Sequence, residues 1–150
     1  MCGIFFYLNK KKDINKKEEN KLDSASKVLF HRGPDYQSSI IYKNLYIFHS
    51  RLSIQDNNKR SNQPMIKKHK NNKYTIVYNG EIYNFKELKK KIKRNISFKT
   101  KSDTEVLLNL FIINQKNLDF ISKLEGMFSF IIFNEYKNEL FFGRDFFGQK

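Results

Sequence analysis

The chain has a single cysteine, no tryptophan, two prolines and six glycines in 150 residues. One cysteine permits no internal disulfide, which excludes a disulfide-stapled scaffold and suits a reducing compartment, so a cytoplasmic setting is expected. No segment approaches the roughly 18 apolar residues that a membrane-spanning helix needs. The first apolar run, Ile4 to Leu8, is short and followed by lysines, so it lacks the form of a secretory signal. Neither the cysteine nor the three histidines, His31, His49 and His69, show metal-ligand spacing. Acidic residues are also scarce, with 15 Asp and Glu against 29 Lys and Arg, for a net charge of +14.

That charge invites a nucleic-acid reading, since basic patches attract phosphate. Two features argue against it. Only Arg32, Arg51, Arg60, Arg94 and Arg144 are arginines, and the accompanying Lys, Asn, Ile, Phe and Tyr are residues written by A- and T-rich codons. The lysines cluster on polar segments such as Lys10 to Lys12 and Lys89 to Lys91, without the interleaved aromatics of an RNA-binding sheet. A solvated basic face is the expectation.

What is present is a globular composition, 39% hydrophobic with 15 Phe and 8 Tyr, long enough for one domain with a real core. The pattern predicts a buried strand over Gly3 to Leu8, a polar connection over Asn9 to Glu19 and a helix over Asn20 to Phe30. Gly33-Pro34-Asp35 turns the chain. Strands at Gln37 to Tyr42 and Leu45 to Ser53 flank a tight Lys43-Asn44 turn. Gln55 to Lys73 reads as a loop, and Tyr74 to Tyr78 as a strand ending at Asn79-Gly80. Asn84 with Glu87, and Ser102 with Glu105, resemble capping boxes opening two helices, the second burying Val106, Leu107, Leu110 and Phe111. Met127 to Phe133 and Glu139 to Gly143 form a closing hairpin. Strands at both ends with helices grouped between them predict an α+β layered fold rather than βαβ alternation.

Cys2 carries the chemistry. Removal of Met1 would place its thiol on the residue bearing the free α-amine, a nucleophile with its own base of pKa about 8. The competing reading is a small hydrophobe opening a buried strand. Asn79-Gly80 is equally two-sided, because Asn-Gly between apolar strands is a strong hairpin signal.

Eight stretches, in order along the chain, resemble the glutaminase domain of asparagine synthetases, which are class II glutamine amidotransferases among the N-terminal nucleophile hydrolases. They are MCGI at the start, HRGPD from His31, HSRLSIQD from His49, QPM from Gln63, YNGEIYNF from Tyr78, SDTEVLL from Ser102, LEGMFSF from Leu124 and GRDFFGQK from Gly143. The resemblance implies a four-layer αββα sandwich of two antiparallel sheets, with further strands and an ATP-dependent synthetase domain beyond Lys150. It implies Cys2 as nucleophile, with Asn79 and Gly80 as the oxyanion hole. Arg51 would hold the substrate α-carboxylate, a role suited to a planar guanidinium. Leu52 and Ile54 would offer backbone groups, and Glu81 and Asp103 would hold the α-ammonium. Arg51 also reads as a surface ion-pair residue, and Asp103 as an acid favoured in a helix's first turn. His31 and Arg32 read as bracing residues. Phe6 stands where the family has a small residue, which bears on packing behind Cys2.

The implied reaction is glutamine hydrolysis supplying ammonia for asparagine synthesis. No cofactor is expected in this domain, and ATP and Mg²⁺ are expected for the synthetase domain. L-glutamine, that second domain and a homodimer are the expected partners. The alternatives are an amidotransferase for another acceptor, such as a surface sugar or secondary metabolite, and a catalytically silent structural domain. If the α-amine of Cys2 is the base, active protein begins at Cys2. Intact-mass analysis of active material should show loss of Met1 and no terminal acetyl group, and retained Met1 would refute the amine's role.

Overall fold

A computed structural model of the chain describes residues 1–92 and 96–150. Its elements run β1 (Gly3–Leu8), α1 (Lys16–Ser26), β2 (Tyr36–Tyr42), β3 (Leu45–Arg51), β4 (Met65–His69), β5 (Asn72–Ile82), α2 (Phe85–Lys91), α3 (Asp103–Ile113), β6 (Gly126–Asn134) and β7 (Glu139–Arg144). The strands form two antiparallel sheets, ordered β1-β3-β2 and β4-β5-β6-β7. This is the α+β class expected from the sequence. No helix among the described residues is long and apolar enough to cross a membrane.

Side-chain alternation in β3 and β5 explains the layering, because successive residues of a strand face opposite sides. Tyr46 and Phe48 of β3 point toward α1 and the 3-10 turn after it. The Tyr46 hydroxyl donates to Asp23 at 2.8 Å, and Phe48 stacks on Phe30 with ring centroids 6.0 Å apart. Leu45 and Ile47 point the other way and pack with Val77, Ile131 and Phe133 between the two sheets. On β5, Thr75 and Val77 face that gap, while Tyr74, Ile76, Tyr78 and Ile82 face the helices α2 and α3. Helix, sheet, sheet and helix therefore stack in four layers.

Several boundaries differ from the sequence reading, each for an identifiable reason. α1 starts at Lys16, four residues before the expected start, because Asn15 and Glu18 form a complete capping box. The expected Asn84 box does not form. The Asn84 amide instead donates to Lys123 O at 2.9 Å and accepts from Glu125 N–H, tying α2 to the chain entering β6. At Ser102 half of the box is present: its hydroxyl caps Glu105 N–H, but the Glu105 carboxylate takes Lys99 N–H and Thr100 N–H. α3 is buried from Asp103 through Ile112 rather than on one stripe, as an apolar helix enclosed on all sides must be. The span expected to be a loop, Gln55 to Lys73, contains β4 and the start of β5. The Phe6 ring stacks on Phe142 of β7, with centroids 6.5 Å apart.

The largest departure is at Asn79-Gly80, which is not a turn. β5 continues through both residues, pairing Asn79 with Ser129 and Gly80 with Phe128. Gly80 is needed here for a different reason than a hairpin would give. Its φ is 149°, and a Cβ at that position would collide with the Met127 carbonyl on β6. Gly126 meets the same constraint two pairs along, at Ile82's partner position, with φ 145° and the Glu81 carbonyl in the way.

A strained, obstructed site predicts a cost for any side chain. Gly126→Ala should lose about 2 to 3 kcal/mol of stability, measured by urea denaturation, from positive-φ strain plus the clash. A variant with an unchanged midpoint would show that the β5–β6 pair yields there.

Candidate active site

β4 begins only at Met65, opposite Ile76, so from Val77 onward β5 has β6 on one side and no strand on the other. Backbone groups of alternate residues face the same edge of a strand, and each must find a partner if buried. At Tyr78 side chains supply the partners. Its N–H donates to Gln63 Oε1 at 2.6 Å, and its carbonyl accepts from His49 Nε2 at 3.0 Å. At Ile82 the N–H donates to Asp103 Oδ2 at 3.0 Å. Gly80 lies midway and shares that parity, so its N–H and C=O face the same open edge. No protein group among the described residues takes them, and they border the pocket that Cys2, Arg51 and Asp103 also line.

All eight residues singled out from the sequence line that pocket: Cys2, Arg51, Leu52, Ile54, Asn79, Gly80, Glu81 and Asp103. They come from four separate chain segments. Cys2 stands at the mouth of β1, which pairs with β3 so that Gly3 faces Ser50. The Cys2 Sγ accepts from Leu52 N–H at 3.4 Å and lies 3.6 Å from Leu52 O, within thiol hydrogen-bonding reach. Arg32 holds the other side of the residue, its Nε donating to Cys2 O at 3.1 Å. The bracing role read for Arg32 is thus a specific bond. Burial pushes the Cys2 thiol above its ordinary pKa. The Leu52 N–H, the terminal amine and Arg51 pull it back by lesser amounts, and Asp103 adds to the rise. Met1 precedes Cys2 here, so the charged amine is that of Met1.

Arg51 ends β3 and is 7% exposed. It is no surface ion-pair residue, since no carboxylate among the described residues pairs with it. Its Nη1 donates to Asn62 Oδ1 at 2.6 Å and Asn58 O at 3.2 Å, and its Nη2 donates to Asp56 O. Three of five guanidinium hydrogens are so used, leaving Nε–H and one on Nη2 for a ligand. The loop that holds Arg51 is itself tied to the entry of α3, because Asp56 Oδ2 accepts from Lys101 N–H at 2.7 Å.

Asp103 sits in the first turn of α3, where a carboxylate is favoured by the helix dipole. It accepts from Ile82 N–H, from the Tyr78 hydroxyl at 2.8 Å and from Thr104 N–H at 2.9 Å. Burial nevertheless dominates and raises its pKa above the usual carboxylate value. The same burial, with Asp103 beside it, keeps the Tyr78 hydroxyl protonated. Glu81 lines the pocket and forms no ion pair with a protein cation among the described residues. The Asn79 side chain, 8% exposed, hydrogen-bonds no protein group among them. One guanidinium, two carboxylates, an amide and a free backbone N–H therefore converge near one thiol.

Sequence reasoning missed Gln63, Tyr78 and the Asn58–Asn62 loop as parts of the site. The signal was available only in outline, as the Gln63-Pro64-Met65 and Tyr78-to-Phe85 motifs, because their contacts join segments far apart in the chain. His49, given no catalytic role, is fully buried. Burial lowers its pKa to about 4, with Arg51 adding to the effect and the Tyr78 bond opposing it. No cluster of three or more His, Cys, Asp or Glu among the described residues could hold a metal ion.

A sequence model of the family described as glutamine amidotransferase domain matches residues 1–150. Asparagine synthetase [glutamine-hydrolyzing] 3 of Bacillus subtilis is 38% identical over 152 residues, covering 100% of this chain and 24% of the relative. The putative asparagine synthetase [glutamine-hydrolyzing] 2 of Methanocaldococcus jannaschii is 37% identical, covering 100% of this chain and 31% of the relative. Asparagine synthetase B of Escherichia coli is 34% identical, covering 99% and 26%. Among solved structures, glutamine phosphoribosylpyrophosphate amidotransferase from B. subtilis, complexed with ADP and GMP, superimposes with a TM-score of 0.59 at 25% identity. That match covers 72% of this chain and 24% of the other. The chain thus spans less than a third of the length of these relatives.

The depressed His49 pKa makes a prediction about stability. Folding excludes a proton that the unfolded histidine binds, so its contribution is complete above pH 6.5 and is lost as pH falls toward 4. Relative to His49→Gln, the wild-type protein should lose up to roughly 3 kcal/mol more across that window, measured by denaturant unfolding at each pH. Parallel curves for the two proteins would mean that His49 is not neutral in the fold.

Proposed function

Because the chain belongs to the glutamine amidotransferase domain family, we propose that it hydrolyses glutamine to glutamate and ammonia with Cys2 as nucleophile. The observation that carries the reading is the set of groups on the pocket wall: Arg51 opposite in charge to Glu81 and Asp103, beside a thiol and an unpartnered Gly80 N–H. Glutamine is a zwitterion with a carboxamide, and each of its polar groups has a counterpart there.

The α-carboxylate takes the two unused hydrogens of Arg51. The α-ammonium lies against Asp103 and Glu81, and its charge offsets the burial that otherwise raises Asp103. The Cys2 thiolate attacks the carboxamide carbon, and the C=O electrons move onto oxygen. Asn79 and Gly80 N–H donate to that oxyanion, where each donor is worth about 10²- to 10³-fold in rate. The base is the α-amine of Cys2 after Met1 is removed; it takes the thiol proton and returns it to the leaving nitrogen. Ammonia departs and leaves a γ-glutamyl thioester. Water attacks that carbonyl, the thiolate leaves, and glutamate is released.

The names of the three synthetase relatives support asparagine as the destination of the ammonia. In this reading aspartate is activated by ATP and Mg²⁺ in a synthetase domain outside residues 1–150.

Two substitutions test the reaction. Cys2→Ser should abolish ammonia release from glutamine in the intact protein. Asn79→Asp replaces a donor with a carboxylate beside developing negative charge, so the glutaminase kcat should fall at least about 100-fold. Asn79 lies in a strand rather than a turn, and its side chain bonds no described protein group. The Tm of the same sample should therefore stay within about 3 °C, on the scale where 1 kcal/mol shifts a domain of this size by about 2 to 4 °C. A stable variant with near-normal turnover would remove Asn79 from the oxyanion hole.

A further inference from the structure

Resting on the glutaminase reading above, we propose that His49 and Gln63 are positioning residues that grip both polar groups of Tyr78 and thereby aim Asn79 and Gly80 at the substrate. The two side chains arrive from different directions. His49 reaches across from β3 in the other sheet, and Gln63 comes from the segment just before β4. One supplies the donor for Tyr78 C=O at 3.0 Å, the other the acceptor for Tyr78 N–H at 2.6 Å. Gln63 is anchored in turn by its Nε2, which donates to Thr104 Oγ1 at 3.4 Å on the residue after Asp103. The Tyr78 carbonyl belongs to the peptide unit that contains Asn79 N. Fixing that oxygen fixes the plane from which the Asn79 side chain projects and sets the twist of the strand at Gly80.

His49 itself does not line the pocket and cannot touch substrate directly. It is completely buried, and its Nδ1 has no partner among the described residues. A carbonyl only accepts, so Nε2 carries the proton and Nδ1 is a bare acceptor in an apolar gap. An aliphatic residue would fill the same space without that desolvation cost. What an aliphatic residue lacks is the single donor that Tyr78 C=O needs, since β4 does not reach it. Without the bond, a buried carbonyl must tilt to find another partner. The tilt is passed to the two groups that the reaction depends on.

The test uses two variants of the intact protein. His49→Leu keeps volume and removes the donor, while His49→Gln places an amide N–H near the position of Nε2. Expected for His49→Leu is a kcat for glutamine hydrolysis lowered roughly 10- to 100-fold, the effect of a displacement of about 1 Å. KM should stay within about threefold, because Arg51 and Asp103 keep their own contacts. His49→Gln should restore kcat to within about threefold of wild type. Hydrogen exchange by mass spectrometry should be faster over residues 79–82 in His49→Leu and near normal in His49→Gln.

Equal losses in both variants, a rise in KM at unchanged kcat, or a folded His49→Leu protein with near-normal kcat would each overturn the assignment while leaving the glutaminase reading intact. A wild-type protein that releases no ammonia from glutamine would overturn both. If His49→Leu does not accumulate in folded form, Gln63→Leu decides: a kcat lowered roughly 10- to 100-fold with KM within about threefold supports the assignment, and a near-normal kcat overturns it.

Discussion

A strand whose neighbour starts late must have its buried backbone groups satisfied by something else. That constraint organises this molecule. β5 is 11 residues long, and β4, only 5, covers just its first half on one side. The uncovered half could have been a liability, an open edge ready to pair with another chain. Instead, side chains close it at Tyr78 and Ile82, with His49, Gln63 and Asp103 as partners. Gly80 between them stays open. Its N–H is a donor without a protein partner among the described residues, and β6 pairs with the strand on its far side.

The charges follow from the same geometry. Asp103 is drawn to the open edge because Ile82 N–H needs an acceptor, and the first turn of α3 offers a favourable place for the carboxylate. Its burial leaves the anion undercompensated. Arg51 is the opposite case, a cation whose loop contacts are backbone carbonyls and an amide oxygen rather than a carboxylate. A buried charge without an opposite charge is costly by itself. Two such charges of opposite sign, facing one pocket but not each other's partners, are best matched by a ligand carrying both signs. Burial holds the Cys2 thiol above its ordinary pKa, against the opposing pull of the Leu52 N–H and Arg51.

Motifs told more than periodicity did. The α+β class and the helical and strand runs at either end of the chain were legible from residue type and local order, while the pocket residues from Arg51 to Asp103 were legible only through the motifs of the family resemblance. Boundaries were less so. Glu105 left its capping box because the Lys99 and Thr100 N–H groups, six and five residues before it, compete for the carboxylate. Asn84 likewise chose Lys123 and Glu125 over its own helix. At Asn84 a local rule lost to partners about 40 residues away, and at Glu105 to competing donors just upstream.

Asn79-Gly80 draws the line most sharply. The sequence by itself determined that a glycine follows an asparagine there, and an Asn-Gly pair after an apolar strand carries the same local signal whether it turns or runs straight. It also determined a lone thiol near the start of the chain and the residue types able to bind a zwitterion. Only the tertiary structure decided that β6 pairs through Asn79 and Gly80, putting the Met127 carbonyl where a Cβ would stand. Only it decided that β4 stops short of them. The reason is physical: backbone conformation at glycine is nearly free of local preference, so what lies across the strand, not what lies beside it in sequence, selects turn or edge.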